Sequence, residues 1–171
     1  MKGRSGRGWL LAAAALLTAA LWPVRLLTLT GADGRPVFTA PVSVGEHFTV
    51  RFIHSVERRP VDEVFEAAAD SLVLIETWFD MGGAGLPLDY MNPQLKFEFR
   101  NNLYHITGYD MRLPEVTYRI NKVVADHTLL LRGREYKLKR WAPPGGPLTF
   151  RVEVLPAARL VWSRICQFVQ R

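Results

Sequence analysis

Residues 54–65, His-Ser-Val-Glu-Arg-Arg-Pro-Val-Asp-Glu-Val-Phe, crowd an imidazole, a hydroxyl, carboxylates and two guanidinium groups into one short run. Three chemistries use such groups: attack by a serine on a histidine base, metal ligation by imidazole and carboxylate, and recognition of a charged ligand. The first fails on geometry. Neighbours in a strand point to opposite faces, so Ser55 cannot readily use His54, and no nucleophile elbow surrounds them. A metal would find acceptable donors in His54, Glu63 and Glu76. It would find one histidine only, since His47, His105 and His127 are scattered without ligand spacing. The expectation is therefore no metal, no cofactor and no catalytic set. What remains is a polar cluster that either fixes a hairpin's register or binds a ligand or a partner's basic group.

Strands must hold these groups. Phe48, Val50, Phe52 and Val56 alternate with Thr49, Arg51 and Ser55, and Val61 and Phe65 share a face opposite Asp62 and Glu66. That is the period of half-buried strands. The connection Glu57-Arg58-Arg59-Pro60 has ordinary hairpin length, with proline at a turn or strand start. A loop at 57–60 sets Phe52 opposite Phe65, Ile53 opposite Val64, Arg51 opposite Glu66, and His54 opposite Glu63. The following segment, SLVLIETWFD, is apolar on both faces and reads as a central strand. A turn at 68–71 pairs Phe65 with Leu74, Val61 with Trp78, and Glu63 with Glu76. His54, Glu63 and Glu76 then form a row across three strands on an apolar face. Facing carboxylates repel, and a cationic His54 beside them relieves the repulsion.

The third strand runs into Asp80-Met-Gly-Gly-Ala-Gly-Leu-Pro87. Glycines permit positive φ and bare amides, the raw material of an anion-binding nest, or simply a tight turn. No Gly-Lys-Ser/Thr follows, so this is no P-loop, and it is no dinucleotide fingerprint. The candidate ligand- or partner-binding set is His54, Glu57, Arg58, Arg59, Glu63, Glu76, Gly82, Gly83 and Gly85.

Two motifs carry a resemblance. His54-Ser55-Val56, Pro60-Val61 and Glu63, then Glu76-Thr77 with Gly83-Ala84-Gly85-Leu86-Pro87, resemble an uncharacterised bacterial family of small exported proteins, a domain of unknown function. The resemblance covers most of the chain after the first strand. Members are often encoded beside the TAXI type of tripartite ATP-independent periplasmic (TRAP) transporter. The resemblance thus implies a setting, transport of small organic acids, and as partners the transporter's subunits or its solute-binding protein. It implies no established activity.

The remaining chain supplies location. Met1–Gly8 is basic, and residues 9–22 form an uncharged apolar run of 14. A full span needs about 20 residues and a signal-peptide core about 7–15. The run is signal-like in length, with Thr18-Ala19-Ala20 as a weak cleavage site. Leu21 to Val24 extend it, and a short uncleaved anchor over 1–24, basic end inside, is the expectation. The domain then faces the periplasm from the cell inner membrane. The net charge of +6 invites nucleic acid, but Lys2, Arg4, Arg7 and Arg25 flank the apolar run. Without those four, 18 basic residues stand against 16 acidic, and no basic stripe interleaves aromatics, which excludes a nucleic-acid partner. The single cysteine, Cys166, excludes an internal disulfide. Val161, Ile165, Phe168 and Val169 recur at helical spacing over 156–171, a basic amphipathic helix.

Between these ends the pattern is strands and turns. Asp33-Gly34 is a hairpin signal, Arg100-Asn101-Asn102 and Gly133 mark turns, and Leu148, Phe150, Val152 and Val154 alternate. No helical pattern separates the strands. The fold class expected for 25–155 is all-β, a single antiparallel β-sandwich or barrel-like domain. A membrane-anchored accessory or binding module follows from these readings. The alternative is a periplasmic enzyme, a hydrolase or metal-dependent, built on the His54/Glu63/Glu76 row.

Overall fold

Apolar alternation becomes two antiparallel sheets in the computed structural model, which describes residues 5–55, 58–80, 94–121 and 126–160. One helix, α1 (Ser5–Leu21), precedes β1 (Pro23–Thr30), β2 (Pro36–Pro41), β3 (Glu46–Ile53), β4 (Pro60–Ala67) and β5 (Leu72–Phe79). Then come β6 (Lys96–Arg100), β7 (Leu103–Leu113), β8 (Val116–Ile120), β9 (Thr128–Leu131), β10 (Arg134–Lys137), a 3-10 turn (Leu138–Arg140) and β11 (Gly146–Pro156). Four strands form one sheet in the order β2-β1-β11-β8, and seven form the other in the order β10-β9-β3-β4-β5-β7-β6. The turn chemistry sits where the sequence marks it. Asn101 and Asn102 both have positive φ, as do Arg132 and Gly133, so each pair closes a two-residue hairpin of the mirror-image turn type.

The sheets meet over one apolar core. Phe48 of β3 stacks on Phe65 of β4, with centroids 5.5 Å apart, and on Phe150 of β11 at 6.4 Å. Leu27, Leu29, Leu148 and Val152 of the smaller sheet and Val50, Leu72 and Leu129 of the larger one complete this core, all essentially without exposure. A second, smaller cluster gathers Val61, Phe79 and Ile106 with Phe52, Phe97, Tyr104 and Tyr109. Every strand that contributes to it belongs to the seven-stranded sheet. Phe52 joins it to the four-stranded sheet through the Tyr118 ring, 6.2 Å away.

Two registers differ from expectation, and both corrections have a physical cause. The β3–β4 hairpin turns at 55–58, closed by the His54 amide donating to the Arg59 carbonyl at 2.8 Å. Phe65 therefore faces Phe48, Val64 faces Thr49, Glu66 faces His47, and Glu63 faces Val50. Arg51 meets Asp62 in a two-pronged ion pair, both contacts 2.7 Å. The displacement is four positions, an even number, so every side chain keeps its expected face while losing its expected partner. The ring stack and the bidentate pair together favour the observed register.

The second correction comes from a β-bulge. Phe65 faces Leu74 as the 68–71 turn requires, but Ile75 is an extra residue and the pairing shifts by one beyond it. Val61 then faces Phe79 instead of Trp78, and Glu63 faces Thr77 instead of Glu76. One extra residue inverts the faces of the strand. Thr77 and Phe79 turn inward and are buried, while Glu76 and Trp78 turn to the outer face.

At the N-terminus, Trp9, Leu10, Leu11, Leu16, Leu17 and Leu21 of α1 are all exposed. Among the described residues no helix is long and apolar enough to cross a membrane. At the other end, residues 158–160 enter a helical turn. Residues 161–171, with Cys166 and most of the expected amphipathic helix, lie outside the described residues.

Opposite the bulge, β7 carries Gly108 at φ +85°, and a Cβ there would meet the Gln94 carbonyl oxygen at 2.2 Å. Gly108→Ala thus combines backbone strain with a clash against main chain. It should cost more than the roughly 1–3 kcal/mol of a strained φ alone. Gly34→Ala, at φ +73° with open space around it, should cost only the strain. Thermal melts of the two variants should rank them in that order.

Candidate functional site

The inner face of the larger sheet carries one carboxyl into the interior. Glu63 lies in the middle of β4, between Val61 and Phe65, and alternation points all three toward the other sheet. From that sheet the Tyr118 hydroxyl of β8 donates to Glu63 Oε2, a polar link between the two layers. Phe52 and His127 wall this contact, with Tyr118 centroids 6.2 Å and 5.4 Å away respectively. The imidazole of His127, buried, stacks on Phe52 at 5.4 Å. Tyr109 approaches from the β7 bulge. Its hydroxyl is buried without a well-formed hydrogen bond, and the polar groups acting on it are Thr77 and Glu63.

Electrostatics follow from this packing. Glu63 keeps partial exposure as a residue, but burial pushes its carboxyl above the ordinary range, and the Tyr118 hydrogen bond only partly offsets that. Burial and then the neighbouring carboxylate push Tyr118 well above the usual phenol range. Among the described residues no lysine, arginine or histidine forms an ion pair with Glu63. The site is an acid and phenols in an aromatic wall, suited to holding a proton or a hydrogen-bonding group.

The other expected site residues fall elsewhere. His54 shares the inner face with Glu63 but lies four residues further along the hairpin, on the order of 13 Å by strand rise. Arg58 occupies the turn with φ +54° and is exposed. Arg59 pairs with Asp80 at 2.8 Å, which places the hairpin turn beside the start of the glycine-rich loop. Glu57, Gly82, Gly83 and Gly85 lie outside the described residues. Glu76 is on the outer face, where it accepts the Trp78 indole N–H at 2.8 Å and lies 3.2 Å from His105 Nε2. Trp78 and His105 are cross-strand partners with rings stacked 3.6 Å apart. The row of His54, Glu63 and Glu76 is not assembled. Among the described residues no three His, Cys, Asp or Glu side chains gather to hold a metal ion.

Tyr118 and Tyr109 carry no local signal of a site in the sequence, and Thr77 stands there only as part of the Glu76-Thr77 motif. Val116, Tyr118 and Ile120 do alternate, so a strand signal existed for β8. Nothing local says which carboxyl its phenol reaches.

The comparisons add a family. DUF1850, a domain of unknown function, matches residues 48–138, more than half of the chain. The chain belongs to this family. No curated protein and no solved structure matches it. The match spans β3 to β10 and so includes Glu63, Thr77, Tyr109 and Tyr118 together with Trp78 and His105. The strands β1, β2 and β11, which supply most of the covering sheet, lie outside the matched part of this DUF1850 protein.

The raised carboxyl has a consequence for stability. A folded-state pKa above the unfolded one means full stability below the unfolded value of about 4.5, lost as pH rises through the raised value. Glu63→Gln keeps an acceptor for Tyr118 and removes the titration. Its melting temperature should exceed the wild type's at pH 8, and the two should converge at pH 4. Tyr118→Phe, which leaves the acid without its donor, should destabilise by about 1–3 kcal/mol in urea titrations.

Proposed function

We propose that this DUF1850 protein is a membrane-anchored, periplasm-facing binding module that serves a TAXI/TRAP-type organic-acid transporter. The observation that carries the anchored half is α1. Its apolar side chains are exposed around the helix, from Trp9 to Leu21, and a helix apolar all round is a helix that lipid or protein covers. Lys2 and Arg4 precede it and Arg7 lies in its first turn, ahead of the apolar stretch, the charge pattern of a cytoplasmic flank. Trp9 and Trp22 bracket the apolar stretch, the position aromatic residues favour at a membrane interface.

Support for binding over catalysis comes from the pairing of the polar groups. Glu63 is engaged by a phenol, Arg59 by Asp80, and Glu76 by an indole. The enzymatic alternative rested on the His54, Glu63 and Glu76 row, and among the described residues those three side chains stand apart. A transport partner rests on the family resemblance, in which an organic-acid transporter is the setting.

Crosslinking in intact membranes followed by purification of the chain tests the partner directly. Transporter subunits or the solute-binding protein should be recovered with it, and their consistent absence would remove the transport reading. For location, an alkaline phosphatase fused after Arg171 should be active, because the basic N-terminus stays inside. An inactive phosphatase fusion beside an active cytoplasmic reporter at the same point would overturn the periplasmic placement.

A further inference from the structure

The start of β1 fixes which end of the sandwich meets the membrane. One residue, Trp22, separates α1 from β1, so no linker decouples the helix from the domain. Trp22's carbonyl accepts from Ala157 at 2.9 Å, and Pro23 faces Pro156, so the chain leaves the sandwich beside the point where α1 enters it. Arg25 then reaches across to the other sheet and donates to the Ala69 carbonyl at 3.0 Å. Arg25's own carbonyl accepts from Val42, and Gly45 donates to Ala67. The β4–β5 turn and the approach to β3 therefore lie at the α1 end. From there β4 runs eight residues to Pro60, about 25 Å of strand. The 55–58 turn, the Arg59–Asp80 pair and the exit of β5 stand at the opposite end.

That distal end has a chemical character. Arg58 is exposed at its tip in a left-handed conformation that residues other than glycine and asparagine rarely adopt. It makes no ion pair among the described residues, while Arg59 beside it is half-exposed above Asp80. Among the described residues the tip thus holds a guanidinium with no carboxylate partner, where glycine or asparagine would be cheaper.

We propose that the domain stands end-on, with the β4–β5 turn against the bilayer and the Arg58–Arg59 tip presented about 25 Å out as a docking surface for a soluble protein with an acidic patch. This rests on the anchored reading above. It adds that the partner met at the tip is soluble, because a tip at that height faces the periplasm and not the lipid. Rim charges of this kind steer and select more than they hold.

Depth quenching tests the orientation. The full chain carrying Cys166→Ser receives a single cysteine at Asp70 or at Ser55, each labelled with bimane and bound to phosphatidylcholine vesicles holding a headgroup nitroxide lipid. The Asp70→Cys label should be strongly quenched and the Ser55→Cys label should not. Equal quenching, or the reverse order, overturns the end-on arrangement while leaving the anchor intact. A chain that does not bind the vesicles overturns the anchor and this inference with it. For the partner's chemistry the probe is a fluorescent hexaglutamate peptide added to the vesicle-bound chain. Arg58→Glu should weaken its binding about three- to fivefold, the scale of one exposed charge pair. Unchanged binding, or no binding to the wild type, overturns the acidic-partner part.

Discussion

The contact of Phe48 with Phe65 on one side and Phe150 on the other is the constraint on which the rest of the molecule depends. It does two things at once. It sets the β3–β4 register, because moving the hairpin would pull Phe48 off its cross-strand partner. It also docks the sheets, because Phe150 belongs to the opposite layer. With that register in place, Arg51 meets Asp62, Glu63 comes level with Tyr118, and the hairpin must turn at 55–58. The polar features of the site are consequences of an apolar contact.

The Glu63–Tyr118 link is of a different kind. A carboxyl taken out of water is costly, and its hydrogen bond recovers only part of that cost. Replacing such a group by an apolar residue would be expected to leave an ordinary sandwich core no weaker. The acid is also flanked by Tyr109, whose buried hydroxyl is imperfectly satisfied. Polar groups placed under an otherwise aromatic wall, where a phenol of the smaller sheet meets a carboxyl of the larger, are an arrangement suited to recognition rather than to stability alone.

The outer face of the larger sheet shows how much one extra residue decides. The bulge at Ile75 brings Trp78 level with His105 and sends Glu76 to join them. In the same step it delivers Thr77 and Phe79 to the interior. Had β5 run without interruption, Glu76 would have faced Glu63 and two carboxylates would have opposed each other inside. The bulge separates them, and the repulsion never arises.

The sequence by itself determined the all-β class, the positions of most turns, and which face of β3 and β4 points inward. These are local properties: period-two alternation and the positive φ that Asn-Asn and Arg-Gly turns accept. A domain of unknown function was expected from the sequence, and the family match over residues 48–138 agrees with it. Tertiary structure alone decided the pairings. A hairpin whose loop could sit at 57–60 or 55–58 shows the same alternation in both registers, so the choice fell to the Phe48 stack and the Arg51–Asp62 pair. β5 is apolar on both faces, so its composition did not favour one orientation over the other, and the bulge was invisible in it. Tyr118 is distant from Glu63 in sequence and lies in the other sheet. Only the stacking of two layers brings a phenol and a carboxyl together, because no local pattern encodes contact between strands that never pair.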